Sequence, residues 1–527
     1  MLFSELPNEI IEQILLDLDP LTLAQCRVAS RQLYDLIDNS VLLQIVIEAG
    51  VDGLLVVGPR NRHLGYPSSS AQHLLDEIFR IREATKELSP RSVWKIPNEH
   101  GPLEISDGII CFVSSGRGGG QLKTCHFHEM LAPADQNYNL FQPYPTEKRY
   151  VNTMRDIDAG VTDIVFSTGS DLVVLLERTT APNTDRVDHR LHFRAISTGR
   201  PHPEATLPHI ENIYPLSPAF SSGTWLLQLY GDMVALLLVQ NGGGVTVWNW
   251  KSGEVIVPCQ SAVASIFLSQ NQLLLIANTK GDPLSSNDQE KMNIVVYSIS
   301  ERCITHRIRL PVSTLRHPFL FTYPRQTLTQ ISPAQIAGAF APDPSLDIFA
   351  LQFWPAVADA VHPCVVVFST QGLLEACEAA LVDREQYPVD VDWNTWGPKG
   401  SRWFPPNCLH APSERGIHGA RMVTTTRSDA FDVFDWIDDW RPNRDEIFNY
   451  PVVLDFNPRP ILRGATDCDF PLCRNTVVRD MWSWSIPEDE KTVSIESGLP
   501  FRAFVSKAEC FHHSGAHLHS TAVVFSK

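Results

Sequence analysis

Positive charge is scarce in this chain: 43 Lys and Arg stand against 60 Asp and Glu, a formal net charge of −17 over 527 residues. Affinity for nucleic acid rests largely on cations that neutralise phosphates, so a general phosphate-binding role and an anionic membrane surface are both disfavoured. Long apolar runs are missing as well. The run from Val41 to Gly58 is broken by Gln44, Glu48 and Asp52, and no segment approaches the length of a spanning helix. The first residues are acidic and amphipathic, without the basic start and plain apolar core of a secretory signal. Eleven cysteines are scattered along the chain and make no small-domain disulfide framework. No Gly-x-Ser-x-Gly elbow occurs, and the glycine-rich stretch Gly116–Gly120 lacks the following Lys-Ser/Thr of a phosphate loop, so it reads as a hairpin. Carboxylates are plentiful, but no spacing singles out a catalytic pair. These absences lead to an expectation of a soluble, reduced, intracellular protein, cytoplasmic and/or nuclear, that uses no cofactor and binds no nucleic acid and no membrane.

Histidine and cysteine cluster twice, at Cys125-His126-Phe127-His128 and at Cys510 with His512, His513, His517 and His519. Zinc favours such ligands, but neither group has paired Cys-x2-Cys spacing, so both read as loop or surface histidines and no metal is expected.

The length exceeds what one hydrophobic core usually supports, which predicts at least two domains, one of them large. The first organising feature lies near the amino terminus. Between Leu6 and Leu18 the apolar residues fall at 10, 11, 14, 15 and 18, a continuous stripe at 3.6 residues per turn. A helix of about three turns does not hold itself in water, so this stripe must be buried within a small domain or on a partner. Pro7 suits a helix start, Asp19 followed by Pro20 predicts the cap of a second helix, and Ser30 predicts the cap of a third carrying Leu33, Leu36 and Ile37. A further amphipathic segment from His73 to Leu88 predicts a connecting helix.

The string Leu6-Pro7-x-Glu9-Ile10-x3-Ile14-Leu15-x2-Leu18, followed by Leu21-x-Leu23-x2-Cys26-Arg27-Val28-x-Ser30-Arg31-x-Leu33-x2-Leu36-Ile37, resembles the F-box. The resemblance spans the whole motif and departs from it in the third helix, where Leu33-Tyr34 stands in place of a frequent tryptophan. It implies docking on Skp1, and through Skp1 on a cullin, with Leu6, Pro7, Ile10, Ile14, Leu15, Leu18 and Leu23 as the contact residues.

Beyond Pro97 the periodicity becomes strand-like and a unit recurs: an apolar strand, a variable loop, an alternating strand ending in an aromatic, and a polar turn. Copies include Asp171–Leu176 with Arg190–Ile196, Asp232–Leu238 with Val245–Glu254, Gln272–Ala277 with Asn293–Ile299, and Asp347–Leu351 with Cys364–Thr370. Short strands repeating every few tens of residues without long helices between them point to a β-propeller, with a two-sheet sandwich as the smaller-sized alternative. Val245–Glu254 is similar to a degenerate WD-type blade. Counting the strand clusters gives six to eight blades, with seven the central expectation. The F-box motif followed by Val391–Phe404, Gly419–Val423 and Val453–Pro458 resembles fungal F-box proteins with degenerate propeller-like carboxy-terminal regions.

The expected architecture is therefore multidomain α+β: an F-box at 1–50, a helical linker at 51–95, and a β-propeller-like recognition domain at 96–527. The acidic aromatic stretch Asp429–Trp440 is either a hairpin packed on a blade or a loop that binds a basic target through Phe431, Phe434, Trp436 and Trp440. Three functions stay open at this level. The first is a non-catalytic substrate receptor of an SCF-type ubiquitin ligase, holding an unknown target protein. The second is a Skp1-bound assembly scaffold outside the ligase, and the third is an enzyme with its site in the propeller channel.

Overall fold

A computed structural model describes residues 6–56, 68–87, 103–106, 109–116, 119–126, 152–157, 160–180, 187–211, 225–238, 244–262, 264–278, 292–311, 316–322, 340–354, 364–381, 387–405, 408–409, 416–427, 449–464, 468–469, 473–479, 481–488, 491–506, 515–519 and 522–526.

Four helices open the chain: α1 (Asn8–Leu16), α2 (Pro20–Ala29), α3 (Arg31–Asn39) and α4 (Val41–Val51). Each of the last three is capped by the side chain before it. Asp19 accepts from the Leu21 and Thr22 amides at 3.0 Å, Ser30 from Leu33 at 3.2 Å, and Ser40 from Leu43 at 3.3 Å. Such caps satisfy amide groups that the first helical turn leaves open. Ile11, Leu15, Leu23, Ile37, Leu43 and Ile47 form the core of this bundle. Arg27 and Asp38 tie α2 to α3 through a 2.6 Å ion pair. Gly50 is required where the ends meet, because a Cβ there would fall 2.2 Å from Cβ of Pro20.

Helix α4 is apolar on more than one side, and both sides are used. Leu43 and Ile47 face the bundle, while Ile45 and Ala49 join a second cluster with Ala71, Leu75 and Ile78 of α5 (Ser68–Glu87) and with Leu54, Val56 and Phe340. A helix apolar all round is a buried helix, and this one is the common wall of two cores. Helix α5 begins five residues before the predicted start at His73, because Ser68–Ser70 join its first turn. Directly after α4, strand β1 (Leu54–Val56) pairs antiparallel with Phe340–Pro342, Leu54 opposite Pro342 and Val56 opposite Phe340.

The remainder is mostly β, built from successive antiparallel sheets. The first holds strands 103–106, 109–116, 119–126 and 152–157; the second 161–167, 172–180, 187–195 and 209–210. The third holds 225–230, 233–238, 244–249 and 255–261; the fourth 264–269, 272–278, 292–298 and 303–308; the fifth 316–322, 348–354, 364–369 and 401–404. Within the second and third, strands follow one another in chain order, as hairpin connections require. Each pair of neighbouring sheets shares an apolar cluster. Val174, Phe193, Leu227 and Trp248 lie between the second and third, and Leu237, Val247, Leu273 and Val295 between the third and fourth. Ile266, Val296, Phe349 and Val366 join the fourth to the fifth.

From the first sheet to the fifth, the first strand of each sheet also meets the first strand of the next. Strand 161–167 touches both 103–106 and 225–230, with the Leu227 amide donating to Asp163 at 2.8 Å. Gln228 donates to the Ser265 carbonyl at 2.6 Å, and 264–269 meets 316–322. The last hairpin, 515–519 with 522–526, meets both the sixth sheet and strand 103–106. The final hairpin thus brings the end of the β region back to its first sheet.

Two regions depart from the repeat. The sixth sheet runs 417–418, 421–427, 449–455, 501–506, 473–478, 468–469, so the strand Phe501–Ser506 inserts beside 449–455 and joins that sheet. Among the described residues the final hairpin holds two strands and the sixth sheet six. The second is Thr370–Phe404. A helix (Thr370–Leu381), a strand (Val389–Val391) pairing parallel with 303–308, and a helix (Trp393–Gly400) cover the outer edge of the fourth sheet. Trp393 packs edge-on against both Trp396 and Trp403, and His306 contacts the Cys377 carbonyl at 3.1 Å. The Gly116–Gly119 pairing confirms the glycine-rich hairpin between 109–116 and 119–126.

Asp347 is buried next to Asp343, and burial first, then the Asp343 charge, push its carboxyl up to about 8. An acid raised on folding holds a proton that the unfolded chain has released, so stability falls as pH rises from about 4 to about 8 and is flat above. Between pH 6 and pH 8 the expected loss relative to Asp347→Asn is at most about 2.7 kcal/mol. Urea denaturation of both proteins at the two pH values checks it.

Candidate partner-binding surface

The helical bundle divides its stripe residues into two groups. Leu15 and Leu23 are fully inside, and Leu6 and Leu18 lean on that core, half-buried. Pro7 is exposed, and so are Ile10 at 48% and Ile14 at 42%, one turn apart on α1. A stripe that serves a bundle core on one edge and stays open on the other has more apolar width than its own fold uses. Of the seven residues singled out from sequence, then, three are exposed, two are half-buried and two lie inside the bundle.

The structure adds three residues to that surface: Leu21 at 66% exposure, Val28 at 84% and Tyr34 at 45%. Leu21 and Val28 are seven apart on α2 and share a face. Tyr34 lies under the Arg27 guanidinium, 5.2 Å from ring centroid to carbon, and Arg27 in turn holds the Asp38 carboxyl below its usual range. Among the described residues, five of the eleven exposed large hydrophobics fall between Ile10 and Tyr34. Isolated exposed side chains scatter, whereas these five lie together on the helical bundle. Leu21, Val28 and Tyr34 were visible in sequence only as motif positions; what separates them from Leu23 is a 100° turn per residue, and helix phase alone is a sufficient guide to it.

The second candidate surface, Phe431, Phe434, Trp436 and Trp440, lies outside the described residues. Cys510, His512 and His513 lie outside them too, as does His128. Among the described residues no three His, Cys, Asp or Glu side chains are grouped to hold a metal ion, and no helix is long and apolar enough to cross a membrane.

On the β side, the WD-like turn has a defined chemistry. Asn249 Oδ1 accepts from the Lys251 and Ser252 amides at 2.9 and 3.0 Å, and Gly253 takes a φ of +75°, so the turn is closed by a side chain and opened to αL by glycine. Buried Trp250 anchors it by donating to the Gly231 carbonyl at 3.1 Å.

Residues 3–44 match the family model of the F-box domain, and the amino-terminal helices are an F-box domain. Solved structures similar to the chain include the WD40 domain of coronin from Toxoplasma gondii, at 9% identity over 78% of this chain and 83% of that one, with a TM-score of 0.31. The WD40 domain of SCAP from fission yeast is similar at 8% identity over 79% and 85%, with a TM-score of 0.33. A Listeria monocytogenes protein is similar at 10% identity over 54% of this chain and 66% of its own, with a TM-score of 0.30. No curated protein matches the chain. The protein combines an F-box domain with a mostly β region of successive antiparallel sheets.

Proposed function

We propose that the chain is the substrate-receptor subunit of an SCF-type cullin-RING ubiquitin ligase. The F-box docks on Skp1, Skp1 brings the cullin, and the propeller-like region holds a target protein. The observation that carries this reading is the F-box domain whose apolar stripes, Ile10 with Ile14 and Leu21 with Val28, are left open in the free chain. Pro7, Ile10 and Ile14 make direct contact, Leu6 and Leu18 border it, and Leu15 and Leu23 hold the helices that present it. The chemistry of such a subunit is proximity: a bound target sits at high effective concentration beside a ubiquitin-charged enzyme, and the receptor itself breaks no bond.

Co-expression of the full chain with Skp1 and a cullin, followed by affinity capture and size exclusion, tests the reading. A stoichiometric complex of the three is expected. Skp1 without cullin in the complex supports a scaffold outside the ligase instead, and absence of Skp1 removes the reading altogether.

A further inference from the structure

The sequence places the F-box and the β region in series, joined by a linker helix, but the structure also ties them together at a buried carboxylate. Glu48, on the last turn but one of α4, is 4% exposed. Its carboxylate receives both Nη atoms of Arg463 at 2.8 and 2.9 Å, and Nη1 of Arg82 at 2.8 Å. Arg82 comes from α5; Arg463 follows the short helix Pro458–Leu462 of the β region, 415 positions along the chain from Glu48. Arg82 turns its remaining donors to Asp52, at 2.9 and 3.1 Å, and to the Glu48 carbonyl at 3.0 Å. Burial pushes the Glu48 carboxyl up, but the Arg463 and Arg82 bonds outweigh it and hold the group below the usual range, so it is charged.

The end of α4 is gripped from the same side. Its carbonyls at Gly50 and Val51 accept from Arg459 at 2.9 Å and from Asn457 at 2.8 Å. Donors at a helix carboxy terminus fill acceptors that the helix leaves open, and a guanidinium there meets the negative end of the dipole. Arg459 also reaches Asp343 at 2.6 Å, and Asp343 donates its amide to the Gly53 carbonyl at 2.8 Å, just beyond the β1 ladder.

We propose that Glu48 is a positioning residue that sets the angle between the F-box and the β region. The ladder of β1 and the bonds to Gly50 and Val51 fasten the carboxy-terminal end of α4, and α5 touches strand 473–478 beside it. The cluster of Ile45, Ala49, Leu75 and Ile78 adds attraction, but apolar burial is non-directional. A planar bidentate fork is directional, and Glu48 provides a further point of attachment that resists rotation about that end. Buried ion pairs of this kind add little net stability over apolar packing, so their registry role is the one that fits. If the chain is a ligase receptor, the same angle aims its target; that consequence rests on the function proposed above, whereas the fixed angle itself does not.

The test measures distance in the full chain alone, by pulsed electron resonance between spin labels on genetically encoded ketone residues at Gln25 and Thr198, both exposed. A single narrow distance distribution is expected for the parent chain. Glu48→Gln and Arg463→Gln should each widen it at least twofold while the main melting transition and the helical signal stay in place, and Arg463→Lys should restore part of the narrowness. The half-exposed Arg463 carries the test by itself if Glu48→Gln fails to fold. A distribution that stays as narrow as the parent's in Arg463→Gln overturns the proposal, as does widening that appears only together with loss of helical signal. Because Skp1 is absent from the sample, a negative result here leaves the receptor reading standing, and failed Skp1 capture leaves this one standing.

Discussion

Ile14→Asp is expected to lower the affinity of the chain for Skp1 at least about 100-fold without unfolding it. Ile14 is 42% exposed on the free edge of α1, so the folded chain itself loses little when the side chain changes. In the complex the same side chain is covered. Burying an isoleucine contributes about 1.5–3 kcal/mol, and aspartate adds the cost of placing an unpaired carboxylate against an apolar partner. A total of about 3 kcal/mol corresponds to roughly 100-fold in affinity. Binding titrations, with circular dichroism on the same samples, check both halves of the expectation. Leu23→Ala is the instructive contrast. That side chain is fully buried in the bundle, and its truncation costs about 2–5 kcal/mol of F-box stability, so capture is lost together with the helical signal.

The second large effect lies in the β region. Asp455→Ala is expected to destabilise the chain by about 3–5 kcal/mol, because it leaves buried guanidinium groups without their counter-charge. Asp455 is fully buried, bonded by Arg502 at 2.5 Å and approached by Arg421 at 3.5 Å, and its other oxygen accepts the Asn457 amide at 3.1 Å. Burial alone would lift this carboxyl; the two arginines and the amide hold it below the usual range. Asn457 is also the residue that grips Val51, so the loss spreads from the sheet core to the F-box attachment. Urea unfolding measures the drop. The double variant Asp455→Leu with Arg502→Met should recover much of it, since an apolar pair of similar size removes the stranded charge.

Local rules made a large part of this molecule legible in its sequence. Asp19 and Ser30 cap the helices that their positions predict, because a cap needs only three neighbouring residues. The strands predicted around Leu172–Leu176, Met233–Leu238, Gln272–Ala277 and Cys364–Ser369 are all present, since each is a compact apolar run bounded by turn residues. The F-box stripe was legible as a set but not as two edges. Leu15 and Ile14 are adjacent in sequence and opposite in fate, one closing the bundle and the other facing out.

What escaped reading was long-range or irregular. Nothing near Glu48 announces Arg463, because an ion pair across 415 positions has no local period. Phe501–Ser506 looks like any other apolar strand, and its place beside 449–455 is decided by tertiary pairing that a repeat pattern does not encode. The Thr370–Phe404 excursion breaks the strand period with two helices, and the tryptophans of the second, Trp393 and Trp396, pack with the fourth sheet. Apolar helix and apolar strand segments of that length look alike until their partners are known.

Calorimetric titration of the purified full chain with purified Skp1 decides whether the open face of the F-box is the proposed Skp1-binding surface. Saturable one-to-one binding with a negative heat-capacity change is expected, as burial of the exposed Ile10, Ile14, Leu21 and Val28 side chains demands. Absence of binding at concentrations well above micromolar, or binding that is unchanged in Ile14→Asp, would contradict it.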